Sequence, residues 1–322
     1  MRQFAKPTIV VSKCLEFDAC RYNGEMIPDV TIRNLQPFVT FIPVCPEVEI
    51  GLGTPRETIR IVEENGENRL VQPSTREDVT EKMEQFSNDF LQTISDVDGF
   101  ILKNRSPSCG TCDVKIYSGF EKAPAKGKGS GLFGGAVVKK FSHLPIEEEG
   151  RLSNFIIREH FFTRLFTIAY YKMIKHNKNM KDLVSFQSDN KYLFMAYNQV
   201  KQKELGRIIA NHKNEKIEVV FENYEKTLYE LFMRTPRYTS NVNVCEHIFG
   251  YFKTKLKKQE KDHFIELLQK YAEKKIPLSS LLTILKSWAI RFDEKYLLRQ
   301  TYFEPYPEAL VEISDSGKGR DY

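Results

Sequence analysis

Three short apolar runs in the first third of the chain each lead into a cysteine set in a turn-rich loop. They are TIVVSKC, ending at Cys14; FVTFIPVCPE, with Cys45; and GFILKNRSPSCG, with Cys109. The runs at 9–11, 39–42 and 100–102 are β-branched or aromatic and bounded by turn residues, so they read as buried strands of an α/β sheet. In open α/β sheets, ligands collect in the crevice outside the carboxyl ends of the strands. Three thiols delivered there from three strands can converge on one point. Three protein ligands leave a four-coordinate zinc or iron site with one open position, which is what a reacting substrate needs. The pattern predicts a catalytic metal site.

The rest of the composition frames that prediction. A chain of 322 residues predicts about two domains, and 41% apolar with 12% aromatic content is ample for two cores. No apolar run reaches the roughly 18 residues that a membrane helix needs, and no export signal is visible. The expectation is therefore a soluble cytoplasmic protein whose six cysteines are reduced thiols or ligands rather than disulfides. Five of the six fall within the first 112 residues, and only Cys245 lies beyond. Charge is split as well. Residues 1–150 carry a net −4 and residues 151–322 a net +9. The basic half, with Lys253, Lys255, Lys257 and Lys258, predicts a polyanion partner or a solvated lysine-rich face. Tyr251, Phe252 and Tyr271 among those lysines can stack on unpaired bases or pack a core.

Along the chain, strands and helices alternate at first, which predicts a mostly parallel, Rossmann-like α/β sheet over residues 1–146. Helical periodicity then dominates, predicting an all-α bundle over 152–313 and a polar tail at 314–322. A short helix is expected at 29–35, and two extended pieces, ETIRIV and NRLV, joined by a turn at Asn65-Gly66. A long helix is expected at 75–95 with Glu77 and Asp78 in its first turn. The glycine-rich stretch 124–135 reads as a mobile lid or a plain connector, since it lacks phosphate-loop spacing, and 136–141 as helical. Glu147-Glu148-Glu149-Gly150 reads as the break between domains. Further helices are expected at 155–176, 189–209, 217–234, 242–257, 261–274 and 278–291.

The cysteine segments VSKCLEFDACRYNG, PVCPEVEIGLGTPR and LKNRSPSCG together resemble the thiouracil desulfidase family across roughly residues 8–140. In the second half, KELGRIIANH, CEHIFGYFKTKLKKQEK, IPLSSLLTILKSW and YLLRQTYFEPYP resemble the YbgA-like domain. A fusion of the two is similar to bacterial desulfidases that take sulfur from 4-thiouridine in transfer RNA. The resemblance implies that Cys14, Cys45 and Cys109 hold a [4Fe–4S] cluster by three irons, leaving the fourth open to the sulfur of a thiolated pyrimidine. It also implies transfer RNA or a thiolated nucleoside as partner. Cys20 and Cys112 read as spectators, although Cys109 and Cys112 form a CxxC pair. Cys245 reads as a buried small hydrophobe.

Hydrolysis of a polarised thiocarbonyl needs a base to take a proton from water. Glu47, two residues past Cys45, is the candidate. Ser106 and Ser108 can donate to a ring atom or to water, or can cap their own turn. Arg56 and Arg105 can meet a phosphate or base edge, with a salt bridge to Glu57 or a neighbouring carboxylate as the plainer reading of Arg56. Competing readings are a zinc enzyme acting on a nucleobase, which the lack of an H-x-E signature weakens, and a nucleic-acid-binding or redox-sensing protein. A desulfidase of free thiouracil or thiouridine is a further alternative.

Overall fold

The computed structural model describes residues 2–94, 96–120, 124–210 and 214–312. The polar tail expected at 314–322 lies outside them. The chain divides into two compact units, one running to Ala169 and taking up the chain again from Ala309, the other Tyr170–Glu308. That division differs from the expected boundary at 146–152, which falls inside the first unit.

The first unit contains strands β1 (Thr8–Ser12), β2 (Thr40–Val44), β3 (Arg60–Glu64), β4 (Glu67–Gln72), β5 (Glu77–Asp78), β6 (Gly99–Leu102), β7 (Val114–Tyr117), β8 (Ala125–Gly129) and β9 (Ile146–Glu148). Its helices are α1 (Val30–Leu35), α2 (Pro46–Glu49), α3 (Thr80–Thr93) and α4 (Leu132–Phe141). One sheet runs β2-β1-β6-β9 with every neighbour parallel. The middles of its central strands are apolar, and Ile9, Val10, Val11, Phe100, Ile101 and Leu102 are fully buried, as a parallel sheet covered on both faces requires. Because all four strands point the same way, their carboxyl ends share one edge. The loops carrying Cys14, Cys45 and Cys109 all leave from it.

The expected parallel sheet is accompanied by another. Residues 60–129 add a second sheet, β5-β4-β3-β7-β8, in which only β3 and β7 are parallel. Its seed is the two-residue loop at Asn65 (φ 53°) and Gly66 (φ 85°). Two successive positive φ angles match the twist of an antiparallel hairpin. Glu77 and Asp78 pair with Gln72 and Val71 as β5 and are not the start of a helix. α3 begins only at Thr80, whose hydroxyl accepts from Leu70 N at 2.8 Å while its own amide donates to Asp78 Oδ1 at 2.8 Å.

Two further corrections bear on the site. Residues 124–135 are no lid: they hold β8 and the start of α4, which begins four residues earlier than expected. Glu147 and Glu148 belong to β9, the fourth strand of the parallel sheet, and Glu148 is buried.

Helices follow: α5 (Phe155–Asn177), α6 (Met180–Asp189), α7 (Lys191–Tyr197), α8 (Gln199–Ala210), α9 (Ile217–Leu231), α10 (Tyr238–Gly250), α11 (Lys258–Ala272), α12 (Leu278–Arg291) and α13 (Lys295–Leu298). The second unit packs around Tyr171, Phe186, Phe194, Tyr224, Phe232, Phe252 and Trp288. The helix expected at 189–209 is broken at Asn198. That residue is extended (φ −159°), and its side chain accepts from the amides of Val200 and Lys201 at 3.1 Å, an N-cap for α8. α10 stops at Gly250, so Lys253, Lys255 and Lys257 lie on the turns that lead into α11 rather than along one helix. Among the described residues no helix is long and apolar enough to cross a membrane.

Candidate active site

The thiols stand where strand direction sends them. Cys14 follows β1 by two residues. Cys45 follows β2 directly and is the N-cap residue of α2, with Pro46 in the first helical position. Cys109 sits in a tight loop closed by a bond from Gly110 N to Ser106 O at 2.9 Å. Cys45 and Cys109 are buried, and Cys14 is partly buried. Each of the three lies within electrostatic reach of the other two. Burial, reinforced by Cys45, pushes the Cys14 thiol up to about 12, while the nearby Lys103 ammonium pulls it down. Cys109 is raised further by burial, and a hydrogen bond with Ser12 opposes the rise.

Cys20, expected to be a spectator, is placed inside this group. It is buried and lies against Cys45, and burial, reinforced by Cys45, pushes it to about 12. Cys112 is exposed, so the CxxC spacing does not bring it to the buried thiols. Cys245 is buried in the second unit against the Tyr302 hydroxyl at 3.8 Å.

Among the described residues, no three His, Cys, Asp or Glu side chains are gathered tightly enough to hold a single metal ion. One tetrahedral ion would draw its thiolate sulfurs to within about 3.8 Å of one another. An iron–sulfur cluster takes each thiolate on a different iron and tolerates a wider spread. Three soft donors, two buried and one partly so, within electrostatic reach of one another and with Lys103 near Cys14, fit such a cluster by chemistry and placement.

Beside the thiols lies a hydrogen-bonded array. Ser108, fully buried, donates its hydroxyl to Glu47 Oε1 at 2.6 Å and lies 2.9 Å from Ser106 Oγ and 3.8 Å from Cys109 Sγ. Ser106 Oγ accepts from Cys109 N at 3.1 Å and Ser108 N at 3.3 Å. Ser106 thus caps its own turn while Ser108 reaches the carboxylate. Arg56 is bound to a neighbouring carboxylate, as its plainer reading has it, and that carboxylate is Glu47. Its Nε and Nη2 donate to Oε2 at 2.8 and 2.5 Å, and Nη1 donates to the carbonyls of Cys20 at 2.9 Å and Gly53 at 2.8 Å. With its side chain only 4% exposed, Arg56 cannot serve a phosphate. Arg105 is exposed, on left-handed backbone (φ 55°).

Two supports were invisible to motif reading. The glycine-rich start of α4 leans on the Cys109 loop: Gly131 N donates to Gly110 O at 2.8 Å and Gly134 N to Ser108 O at 2.9 Å. A Cβ at Gly131 would stand 2.5 Å from the Ser108 carbonyl oxygen, and one at Gly134 would overlap the carbonyls of Cys109 and Gly110. The acidic run also turns inward. Glu148 Oε1 accepts from Thr111 N at 2.6 Å, and Glu149 holds Asn104 N at 2.7 Å and the Lys103 ammonium. Charge clusters in sequence usually face water, and pairing with β6 together with the Thr111 and Asn104 amides makes this one internal.

An α/β unit that gathers thiols and a serine–carboxylate array at the carboxyl edge of a parallel sheet, in one chain with a helical unit, defines a two-module protein with sulfur-ligand chemistry in its first module. The chain belongs to the 2-thiouracil desulfurase family, whose model matches residues 9–149. A second family model, a protein of unknown function (DUF1722), matches residues 191–307. The chain is 23% identical over 156 residues to the uncharacterized protein YbgA of Escherichia coli (strain K12), covering 48% of this chain and 92% of that protein. It is 36% identical over 118 residues to the uncharacterized protein YbbK of Bacillus subtilis (strain 168), covering 34% and 77%. Among solved structures it is similar to the [4Fe-4S]-dependent thiouracil desulfidase TudS, at 27% identity over 46% of this chain and 93% of that one, with a TM-score of 0.36.

Proposed function

We propose that the first unit is a non-redox desulfidase that removes sulfur from a thiolated uridine, 4-thiouridine in transfer RNA, to give uridine and hydrogen sulfide. The observation that carries the reading is the Ser108 hydroxyl, bonded to Glu47 Oε1 at 2.6 Å and lying 3.8 Å from the sulfur of Cys109. It sets a proton acceptor beside the thiols, on the strand edge where an α/β sheet binds its ligand. Family membership over residues 9–149 supports the same chemistry.

In this reading Cys14, Cys45 and Cys109 hold a [4Fe–4S] cluster. When bound, the cluster supplies a Lewis-acidic iron for the thiocarbonyl sulfur, which makes the ring carbon electrophilic. The remaining work belongs to the chain. Ser108 and Ser106 orient a water or a ring heteroatom, and Glu47 Oε1 receives the proton that the attacking water gives up, directly or across Ser108. Water oxygen replaces sulfur at the carbon, and sulfur leaves as hydrogen sulfide with both of the water's protons, one kept on the attacking oxygen until the carbon–sulfur bond breaks and one returned from Glu47. No electron donor takes part. Free thiols and an RNA substrate suit a reducing cytoplasm.

The RNA part of the proposal rests on the second unit's basic character and on an exposed aromatic group. Tyr251 is 38% exposed, stacked on Tyr296 with ring centroids 6.3 Å apart, and within 3.2 Å of the Tyr192 hydroxyl. Phe252 and Tyr271 are buried in the core and available to no base. The test is anaerobic reconstitution with iron and sulfide, then nucleoside mass spectrometry of thiolated transfer RNA, with free thiouracil and thiouridine in parallel. Loss of 4-thiouridine with matching release of sulfide is expected. A protein fully loaded with cluster that leaves every thiolated substrate intact, or one that takes up only zinc, would sink the proposal.

A further inference from the structure

We infer that Arg56 is a positioning residue for the desulfidase chemistry, selecting which oxygen of Glu47 handles the proton. The inference rests on the reading of Glu47 as the base. Both Nε and Nη2 of Arg56 donate to one oxygen, Oε2. A guanidinium facing a carboxylate usually shares its two donors between the two oxygens. Here Oε1 is left to Ser108 alone. The carboxylate plane is therefore held by three donors, two on one oxygen and one on the other, and the oxygen aimed at Ser108 is the one with accepting capacity to spare.

The same side chain ties the site's loops together. Nη1 binds the carbonyls of Cys20 and Gly53, and the Arg56 amide donates to Tyr22 O at 2.8 Å. Cys20 in turn touches Cys45, the residue from which α2 and Glu47 spring. One buried cation thus fixes Glu47 relative to both the loop from β1 and the loop from β2. Lysine cannot reproduce this, because a single ammonium lacks the planar fork that reaches Oε2 and two carbonyls together.

The experiment uses the full-length protein and the variants Arg56→Lys and Arg56→Gln, with readouts independent of turnover. Carbodiimide labelling of carboxylates, read by mass spectrometry on the folded protein without cluster, should rise several-fold at Glu47 in both variants. Glu148, held by Thr111 in the same unit, is the internal control and should not change. In reconstituted protein of matched cluster content, kcat on a thiolated nucleoside should fall about ten- to a hundredfold with KM within about twofold. Added guanidinium should restore part of the rate to Arg56→Gln and none to Glu47→Gln. Unchanged Glu47 labelling together with unchanged kcat would overturn the inference. So would a loss that parallels Glu148 labelling, which would make Arg56 a fold support only. Absence of turnover in the unmodified protein would refute the desulfidase reading instead, and the labelling result would still decide whether Arg56 positions Glu47.

Discussion

At the scale of single residues, chemistry and scaffold separate by what each side chain touches. Glu47→Gln keeps the size of the side chain and an acceptor for Ser108 but removes the charge that Arg56 faces. It should leave cluster content intact and lower kcat by about two to four orders of magnitude, the contribution of a positioned base. Ser108→Ala should lose more than Ser106→Ala, because only Ser108 touches Glu47. Equal losses in steady-state assays would mean that the two hydroxyls act as one relay. Replacing Cys14, Cys45 or Cys109 with alanine should each abolish cluster retention, measured as iron and sulfide per chain, while Cys112→Ala retains it. Cys20→Ala tests a residue that sequence spacing marked as a bystander and the fold places against Cys45. Retention of a full cluster there would assign Cys20 to packing. His160 provides a pH prediction for the first unit. Burial, with the charge of Arg164, holds it down from 6.5 to about 3. The unfolded chain then binds a proton that the native state refuses between those values. Stability should therefore fall as pH drops through that window, by at most about 1.4 kcal/mol per pH unit. Equilibrium unfolding of His160→Gln should show a shallower slope, and an unchanged slope would exclude His160 as its source.

At the scale of elements, legibility followed how local the cause was. The Asn65-Gly66 hairpin and the Asp29-capped α1 were readable because a few adjacent residues determine them: two positive φ angles in one case, a side chain accepting from Ile32 N at 2.9 Å in the other. The three strands before the cysteines were readable for the same reason, since each is a short apolar run. The glycines of 124–135 were not, because their cause is a neighbouring loop distant in sequence. They look like a flexible lid but serve close backbone approach, with α4 donating amides to the carbonyls that shape the Cys109 turn. β9 was missed likewise: three consecutive glutamates look like a linker until Thr111 and Asn104 are brought against them. Gly134→Ala should therefore disturb the Cys109 loop, costing about 1–3 kcal/mol of stability as overpacking does and reducing cluster retention. Gly127→Ala in β8, where an added Cβ meets nothing within 4 Å, is the control and should do neither. Equal behaviour of the two variants in thermal unfolding and iron content would show that the glycines are not spacers for this loop.

At the scale of the whole molecule, the charge contrast between the two halves suggests a division of labour, but the fold dictates how to test it. Cutting the chain at Gly150 would strip Phe161, Phe162, Leu165 and Phe166 from the first unit, all of them buried. Such a fragment should be unstable for reasons unrelated to RNA, so the informative variants are made in the intact chain. Lys253→Glu and Lys257→Glu should weaken binding to transfer RNA and flatten its salt dependence by roughly 0.7–0.9 log units of affinity per log unit of salt for each phosphate left without its lysine. Lys255, already paired with Glu294, should contribute less. Tyr251→Leu keeps apolar bulk while removing the ring, and should lose about 1–3 kcal/mol if an unpaired base stacks on it. All of these variants should turn over free thiouridine at the unmodified rate, since none lies near the thiols or Glu47 in sequence or within their unit. The measurement is a salt titration of transfer RNA binding beside nucleoside turnover. Full RNA affinity in the combined Lys253→Glu, Lys257→Glu and Tyr251→Leu protein would remove this face from the RNA-binding surface.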